Sequence, residues 1–159
     1  MAVGVGTAGA SASAMITAAQ FLPSTHRVPH PLAHVLLAED DPGFRDVVGC
    51  YLRRAGYRVS RVRDTTALLT RIGRAKPWGP EDAIDIVVSD IYMPGGTGLR
   101  VLRGLADAGF VTPVVLMTAF GDPAVHAEAI TQGARAVLDK PFDLGMLLRV
   151  VDRICFPPS

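Results

Sequence analysis

Four places in this chain put a chemically competent side chain at the end of a short apolar run. Ile86-Val87-Val88-Ser89 runs into Asp90, and Ile91-Tyr92-Met93-Pro94-Gly95-Gly96 follows. Upstream, Val35-Leu36-Leu37-Ala38 runs into Glu39-Asp40-Asp41. Downstream, Val114-Val115-Leu116-Met117 runs into Thr118-Ala119, and Ala136-Val137-Leu138-Asp139 into Lys140-Pro141-Phe142. If the four runs are strands of one sheet, acids, a hydroxyl and an ammonium meet at one edge. Acids this close repel one another unless a cation joins them, and with one they form a site. In an open α/β sheet, the crevice at the carboxyl ends of the strands is where ligands bind.

The elements that must position these groups are legible in the spacing. Val35 to Ala38 is a continuous apolar run, as in a strand buried on both faces. Asp41-Pro42 opens a helix with an N-cap and a proline at the first helical position. Phe44, Val47, Val48, Tyr51 and Leu52 follow at helical spacing, and Gly56 stops the helix. Tyr57 to Arg61 alternates as a second strand. Ala67 to Ile72 reads as a helix entered at Asp64 and left at Gly73, and 74–82 as a loop. Ile84 to Ser89 is the third strand, and Leu99, Val101, Leu102 and Leu105 mark a helix ending near Gly109. Pro113 to Met117 is a strand, and Pro123 to Thr131 a helix closed near Gly133. Ala134 to Leu138 is the last strand, followed by a helix through Leu144, Leu147, Leu148 and Val151. Five strand–helix units with right-handed crossovers predict a flavodoxin-like, doubly wound parallel sheet of order 2-1-3-4-5, helices on both faces. Its crevice falls between the first and third strands, those that end in Glu39-Asp40 and Asp90.

Bulk properties fit one domain. The chain has 159 residues, 49% of them hydrophobic, enough for a full core. A formal net charge of +1 supplies no global attraction to nucleic acid or an anionic membrane. Cys50 and Cys155 sit in no metal or redox spacing and are expected to be reduced thiols of a cytoplasmic protein. Residues 1–33 are read as a flexible Ala/Gly/Ser/Pro-rich extension, 34–155 as the domain and 156–159 as a tail. The extension carries an Ala-Ser-Ala that resembles a cleavage site, but it lacks the basic start and leucine-rich run of a secretory signal.

The segments Leu36-Leu37-Ala38-Glu39-Asp40-Asp41, Val88-Ser89-Asp90-Ile91-Tyr92-Met93-Pro94, Gly98-Leu99, Met117-Thr118-Ala119 and Asp139-Lys140-Pro141-Phe142, taken in order, resemble the receiver domain of two-component response regulators. The likeness covers about 34–155 and is to the stand-alone, chemotaxis-regulator type. It implies that Asp90 is the phosphoacceptor, taking a phosphoryl group from a sensor histidine kinase or histidine phosphotransfer domain as an acyl phosphate. It implies Mg2+ (or Mn2+) held by Glu39, Asp40, Asp90 and the Tyr92 backbone carbonyl, since magnesium wants oxygen ligands. Lys140 then faces a phosphoryl oxygen, through a cis Lys140-Pro141 bond, and Thr118 donates its hydroxyl to the phosphoryl group after transfer. The loop behind Thr118 moves, and the face of the fourth helix, fifth strand and fifth helix changes its preference for a downstream protein. Neither nucleic acid nor a membrane is an expected direct partner, and the chain is not expected to be an enzyme in the turnover sense.

Each piece also has a plain alternative. Asp90 before Met-Pro-Gly-Gly is good turn chemistry, Glu39-Asp40-Asp41 could cap a helix, Lys140 could be a solvated loop residue, and Thr118 a small residue at a strand end. Two departures from the family bear on the switch and on phosphate lifetime. Val137 stands where receivers usually carry an aromatic, so the switch is expected to act through the backbone. Tyr92 and Phe120 are bulky and are expected to shield an acyl phosphate from water. A magnesium-dependent phosphatase of the haloacid dehalogenase type wants a second acid at the position of Tyr92. An interaction module that works without phosphorylation is the remaining alternative. Arg53, Arg54, Arg58, Arg61 and Arg63 read as a solvated face or a docking edge. A metal site at His26, His30 and His34 or an exposed Trp78 contact is a weaker reading.

Overall fold

A computed structural model describes residues 33–74 and 83–159. The N-terminal tract before Ala33, with His26 and His30, and the Pro77–Pro80 segment with Trp78 lie outside them.

Four continuous apolar runs and one alternating segment form the strands of one parallel sheet. β1 (His34–Ala38), β2 (Arg58–Val62), β3 (Ile86–Asp90), β6 (Val114–Thr118) and β7 (Ala136–Asp139) lie in the order β2-β1-β3-β6-β7. This is the expected 2-1-3-4-5 arrangement, with a short antiparallel pair, β4 (Tyr92–Met93) and β5 (Gly96–Thr97), inserted after β3. The Met93-Pro94-Gly95-Gly96 break is the turn of that small hairpin.

Period-two alternation within the apolar runs feeds two separate cores. Leu36, Ala38, Val87 and Leu116 face one side and pack with Leu68, Ile72, Val101, Leu102, Leu105 and Ala129. These come from α2 (Thr65–Arg74), α3 (Gly98–Asp107) and α4 (Pro123–Thr131). Val35, Leu37, Val88, Val115 and Met117 face the other side and pack with Val48, Leu52, Leu147 and Val151. Those come from α1 (Pro42–Arg54) and α5 (Leu144–Cys155). Each buried aliphatic side chain contributes about 1.5–3 kcal/mol of transfer free energy, so the two cores fix the sheet between its helices.

Helix ends follow local chemistry. Asp41, Thr97, Asp122 and Asp143 are N-caps whose side chains accept backbone N–H groups of the first turn. Gly56, Gly109 and Gly133 adopt positive φ just past three helix ends, where a Cβ would be penalised. Arg74, read from the sequence as the start of a loop, is instead the last residue of α2. Strand bounds differ from the sequence expectation by one or two residues at several strands, and Asp90 and Asp139 are themselves the last strand residues.

Candidate functional site

Register brings the strand ends together. β3 pairs Asp90 with Met117, and β6 pairs Thr118 with Asp139, so the acid, the hydroxyl and the Lys140 turn stand in one row. On the other side, β1 pairs Ala38 with Ser89, which sets Glu39 beside Asp90. Gly98 lets the start of α3 close in underneath. A Cβ there would lie 2.9 Å from the Asp90 carbonyl oxygen and 3.1 Å from Ile91 Cα.

Lys140 is the centre of the cluster. Its Nζ donates to Asp90 Oδ2 and to Glu39 Oε2, each at 2.7 Å. Asp90 Oδ1 accepts the Tyr92 N–H at 2.9 Å, and Glu39 Oε1 accepts the Asp41 N–H at 3.1 Å. Carboxylate oxygens of Glu39, Asp40 and Asp90 lie within 4.8 Å of one another. Glu39 is buried and Asp40 exposed, so the acid group opens to solvent on one side. Three converging carboxylates present the oxygen donors that a hard divalent cation takes.

Electrostatics follow from burial. Burial pushes the Glu39 carboxyl above its usual range, and the Lys140 hydrogen bond only partly offsets this. For Lys140, burial favours the neutral amine, but hydrogen bonds to Asp90 and Glu39 outweigh it and raise its pKa. The ammonium therefore stays charged.

Thr118 is fully buried, and its Oγ1 accepts the Phe120 N–H at 3.1 Å. Its carbonyl accepts the Lys140 N–H at 2.8 Å, which ties the end of β6 to the lysine turn. The Lys140-Pro141 bond is cis. Tyr92 and Phe120 stand together at the rim, ring centroids 6.2 Å apart and nearly perpendicular. Both are exposed, Phe120 at 75%. Val137 is half-buried and packs against the core on the α2–α3 side.

Other sequence readings resolve differently. His34 opens β1 and is buried, with Nε2 2.8 Å from Ser60 Oγ and Nδ1 2.8 Å from the Ala83 carbonyl. It is part of a hydrogen-bonded strand start. Of the five arginines, Arg61 pairs with Asp46, Arg63 with Asp64, Arg53 reaches the Val59 carbonyl and Arg58 the His34 ring. Cys50 is exposed and Cys155 half-buried, and neither is in a disulfide.

Three groups near the site were not singled out from the sequence. Arg45 Nη1 donates to the Glu39 carbonyl at 2.7 Å and to the Asp40 carbonyl at 3.3 Å, fixing the acid-bearing backbone. The Phe44 ring lies under Lys140, with Nζ 4.6 Å from its centroid. His126 Nε2 meets Asp139 Oδ1 at 2.7 Å over Gly121, where a Cβ would overlap that oxygen. Helical spacing offered a weak signal only for Phe44, on the apolar face of α1.

Comparisons with known proteins bear on the family and the fold. Residues 35–152 match the family described as the response regulator receiver domain. The transcriptional activator protein PfeR of Pseudomonas aeruginosa is 38% identical over 117 residues, 74% of this chain and 36% of that protein. The C4-dicarboxylate transport transcriptional regulatory protein DctD of the same organism is 38% identical over 119 residues, 75% of this chain and 24% of that protein. The chain thus spans only a minor part of the length of these relatives. The chemotaxis response regulator CheY4 of Vibrio cholerae superposes with a TM-score of 0.66 at 28% identity, covering 77% of this chain and 98% of that one. The receiver domain of HemR from Leptospira biflexa shares the fold, with a TM-score of 0.68 at 24% identity over 80% of this chain and 97% of that one. Among the described residues, no helix is long and apolar enough to cross a membrane. This chain belongs to the receiver-domain family of two-component response regulators.

Proposed function

We propose that the chain is a phosphoacceptor of a phosphorelay, receiving its phosphoryl group on Asp90 from a phosphohistidine. The observation that carries this is Lys140, bonded at once to Asp90 and Glu39 beside the exposed carboxylate of Asp40. An Asp90 carboxylate oxygen attacks phosphorus, the phosphorus–nitrogen bond breaks, and the electron pair leaves on the donor imidazole. The Lys140 ammonium offsets charge on the phosphoryl oxygens as a fixed point charge. Glu39, Asp40 and Asp90, with the Tyr92 carbonyl, would hold Mg2+, which supplies positive charge to the transferring group when bound.

After transfer, the Thr118 hydroxyl turns from the Phe120 N–H to the phosphoryl oxygen. The loop that follows is then redistributed between two positions, and phosphorylation biases the balance. With Val137 in place of an aromatic, the change reaches α4, β7 and α5 through backbone, and that face selects a downstream protein. Tyr92 and Phe120 limit the approach of water to the acyl phosphate. In this reading the chain acts in the cytoplasm as a phosphorylation switch and is not a turnover enzyme.

The test is intact mass after incubation with acetyl phosphate and magnesium. One phosphate adduct on the wild type, absent in Asp90→Asn and absent with chelator, supports the reading. A folded wild type that takes no phosphate contradicts it and favours an interaction module that works without phosphorylation.

A further inference from the structure

Phe44 sits where the acid loop turns into α1. Asp41, which follows the acid pair directly, accepts the Phe44 N–H, and Pro42 begins the helix. That cap fixes the ring against the lysine turn on two sides. Lys140 Nζ lies 4.6 Å from the ring centroid. The Phe142 ring, two residues beyond Lys140, packs edge-on with its centroid 5.8 Å away and an interplanar angle of 73°. An ammonium over an aromatic face is attracted by the ring quadrupole, and more so where water is excluded. The Lys140 side chain is only 19% exposed.

The three groups around this ammonium differ in what they do next. Asp90 is the proposed acceptor, and both Asp90 and Glu39 are proposed cation ligands, so both change partners when the site is loaded. The Phe44 ring does neither and can hold the ammonium in both states. Resting on the phosphoacceptor reading, we infer that Phe44 is a positioning residue for Lys140, holding its charge where the phosphoryl oxygens arrive. A leucine would fill similar apolar volume without the quadrupole.

The chain has two lysines, Lys76 and Lys140, so lysine-labelled protein offers a direct readout. In wild type, the Lys140 ε-methylene protons should lie upfield of those of Lys76 through the ring current of Phe44. The displacement should vanish in Phe44→Leu and return in Phe44→Trp. The rate of labelling by acetyl phosphate should fall about three- to tenfold in Phe44→Leu and recover in Phe44→Trp. In a Lys140→Met background, Phe44→Leu should have no further effect on that rate. An unshifted Lys140 resonance in wild type overturns the proposal, and so does a Phe44→Leu loss that persists without Lys140. A shifted resonance with no labelling of wild type supports the placement of the ammonium and overturns the phosphoacceptor reading instead.

Discussion

The Lys140 ammonium and the Asp90 carboxylate, 50 positions apart in sequence, meet at 2.7 Å at the carboxyl edge of the sheet. The contact is a structural restraint, because the same ammonium also neutralises Glu39. Removing it leaves two buried carboxylates facing each other. Lys140→Met should therefore lose about 3 kcal/mol of unfolding free energy in the absence of divalent cations. Added magnesium should return more stability to the variant than to wild type, since a cation replaces the missing charge. Urea unfolding with and without magnesium checks both statements, and an equal magnesium response in the two proteins contradicts them.

Gly98 is required by backbone proximity. A Cβ at this position meets the Asp90 carbonyl oxygen at 2.9 Å, Ile91 Cα at 3.1 Å and Leu116 Cδ2 at 3.1 Å. Two of those are backbone atoms under the site and cannot swing aside. Gly98→Ala should cost about 1–3 kcal/mol in unfolding free energy and also weaken magnesium binding, because relief of the overlap shifts Asp90. Calorimetric titration with magnesium on the folded variant measures the second effect. An unchanged affinity would show that the strand end moves without disturbing the carboxylate.

Burial of His34 gives stability a pH dependence. Burial lowers its pKa from the ordinary 6.5, against the Ala83 carbonyl, which raises it; Arg58 and Arg71 add to the lowering and Asp85 opposes it. The unfolded chain thus binds a proton that the folded chain resists, and stability rises with pH through that window. His34's contribution is fully present above pH 6.5 and is lost as pH falls below that value toward the folded pKa. Urea midpoints of wild type should decline across this range, and those of His34→Gln should decline less. Parallel curves for the two proteins would remove His34 from the explanation.

Tyr92 and Phe120 make a testable claim about phosphate lifetime. Their rings pair edge to face, centroids 6.2 Å apart, one after Asp90 and one after Thr118. Replacing both with polar side chains, Tyr92→Asn with Phe120→Glu, should admit water and speed loss of phosphate severalfold. The decay of the phosphorylated form in excess magnesium measures this, and an unchanged half-life would sink the shielding role.

Much of this architecture was legible because it is written in local chemistry. Asp41-Pro42 announces a helix start, and Gly56, Gly109 and Gly133 sit where helices end. The apolar runs that finish on Glu39, Asp90, Thr118 and Lys140 point to one sheet edge, and the strand register delivers them there. What could not be read depends on three-dimensional reach. Helical spacing places Phe44 on a buried face but cannot say that its ring lies beneath an ammonium 96 positions later. Arg45 looks like any exposed helical arginine until its guanidinium is seen on the Glu39 and Asp40 carbonyls. The β4–β5 hairpin was hidden because two-residue strands carry no periodicity. His34, grouped by spacing with His26 and His30, belongs instead to a strand whose start it seals through Ser60 and Ala83.

The central claim is that Asp90 itself carries the phosphoryl group. An aspartyl phosphate is reduced by borohydride to homoserine, whereas a free carboxylate is not. Wild-type protein incubated with acetyl phosphate and magnesium, then reduced, digested and sequenced by mass spectrometry, should show homoserine at position 90 and aspartate at positions 40, 41 and 139. Homoserine at another of these positions, or at none in a folded protein that binds magnesium, would contradict the account.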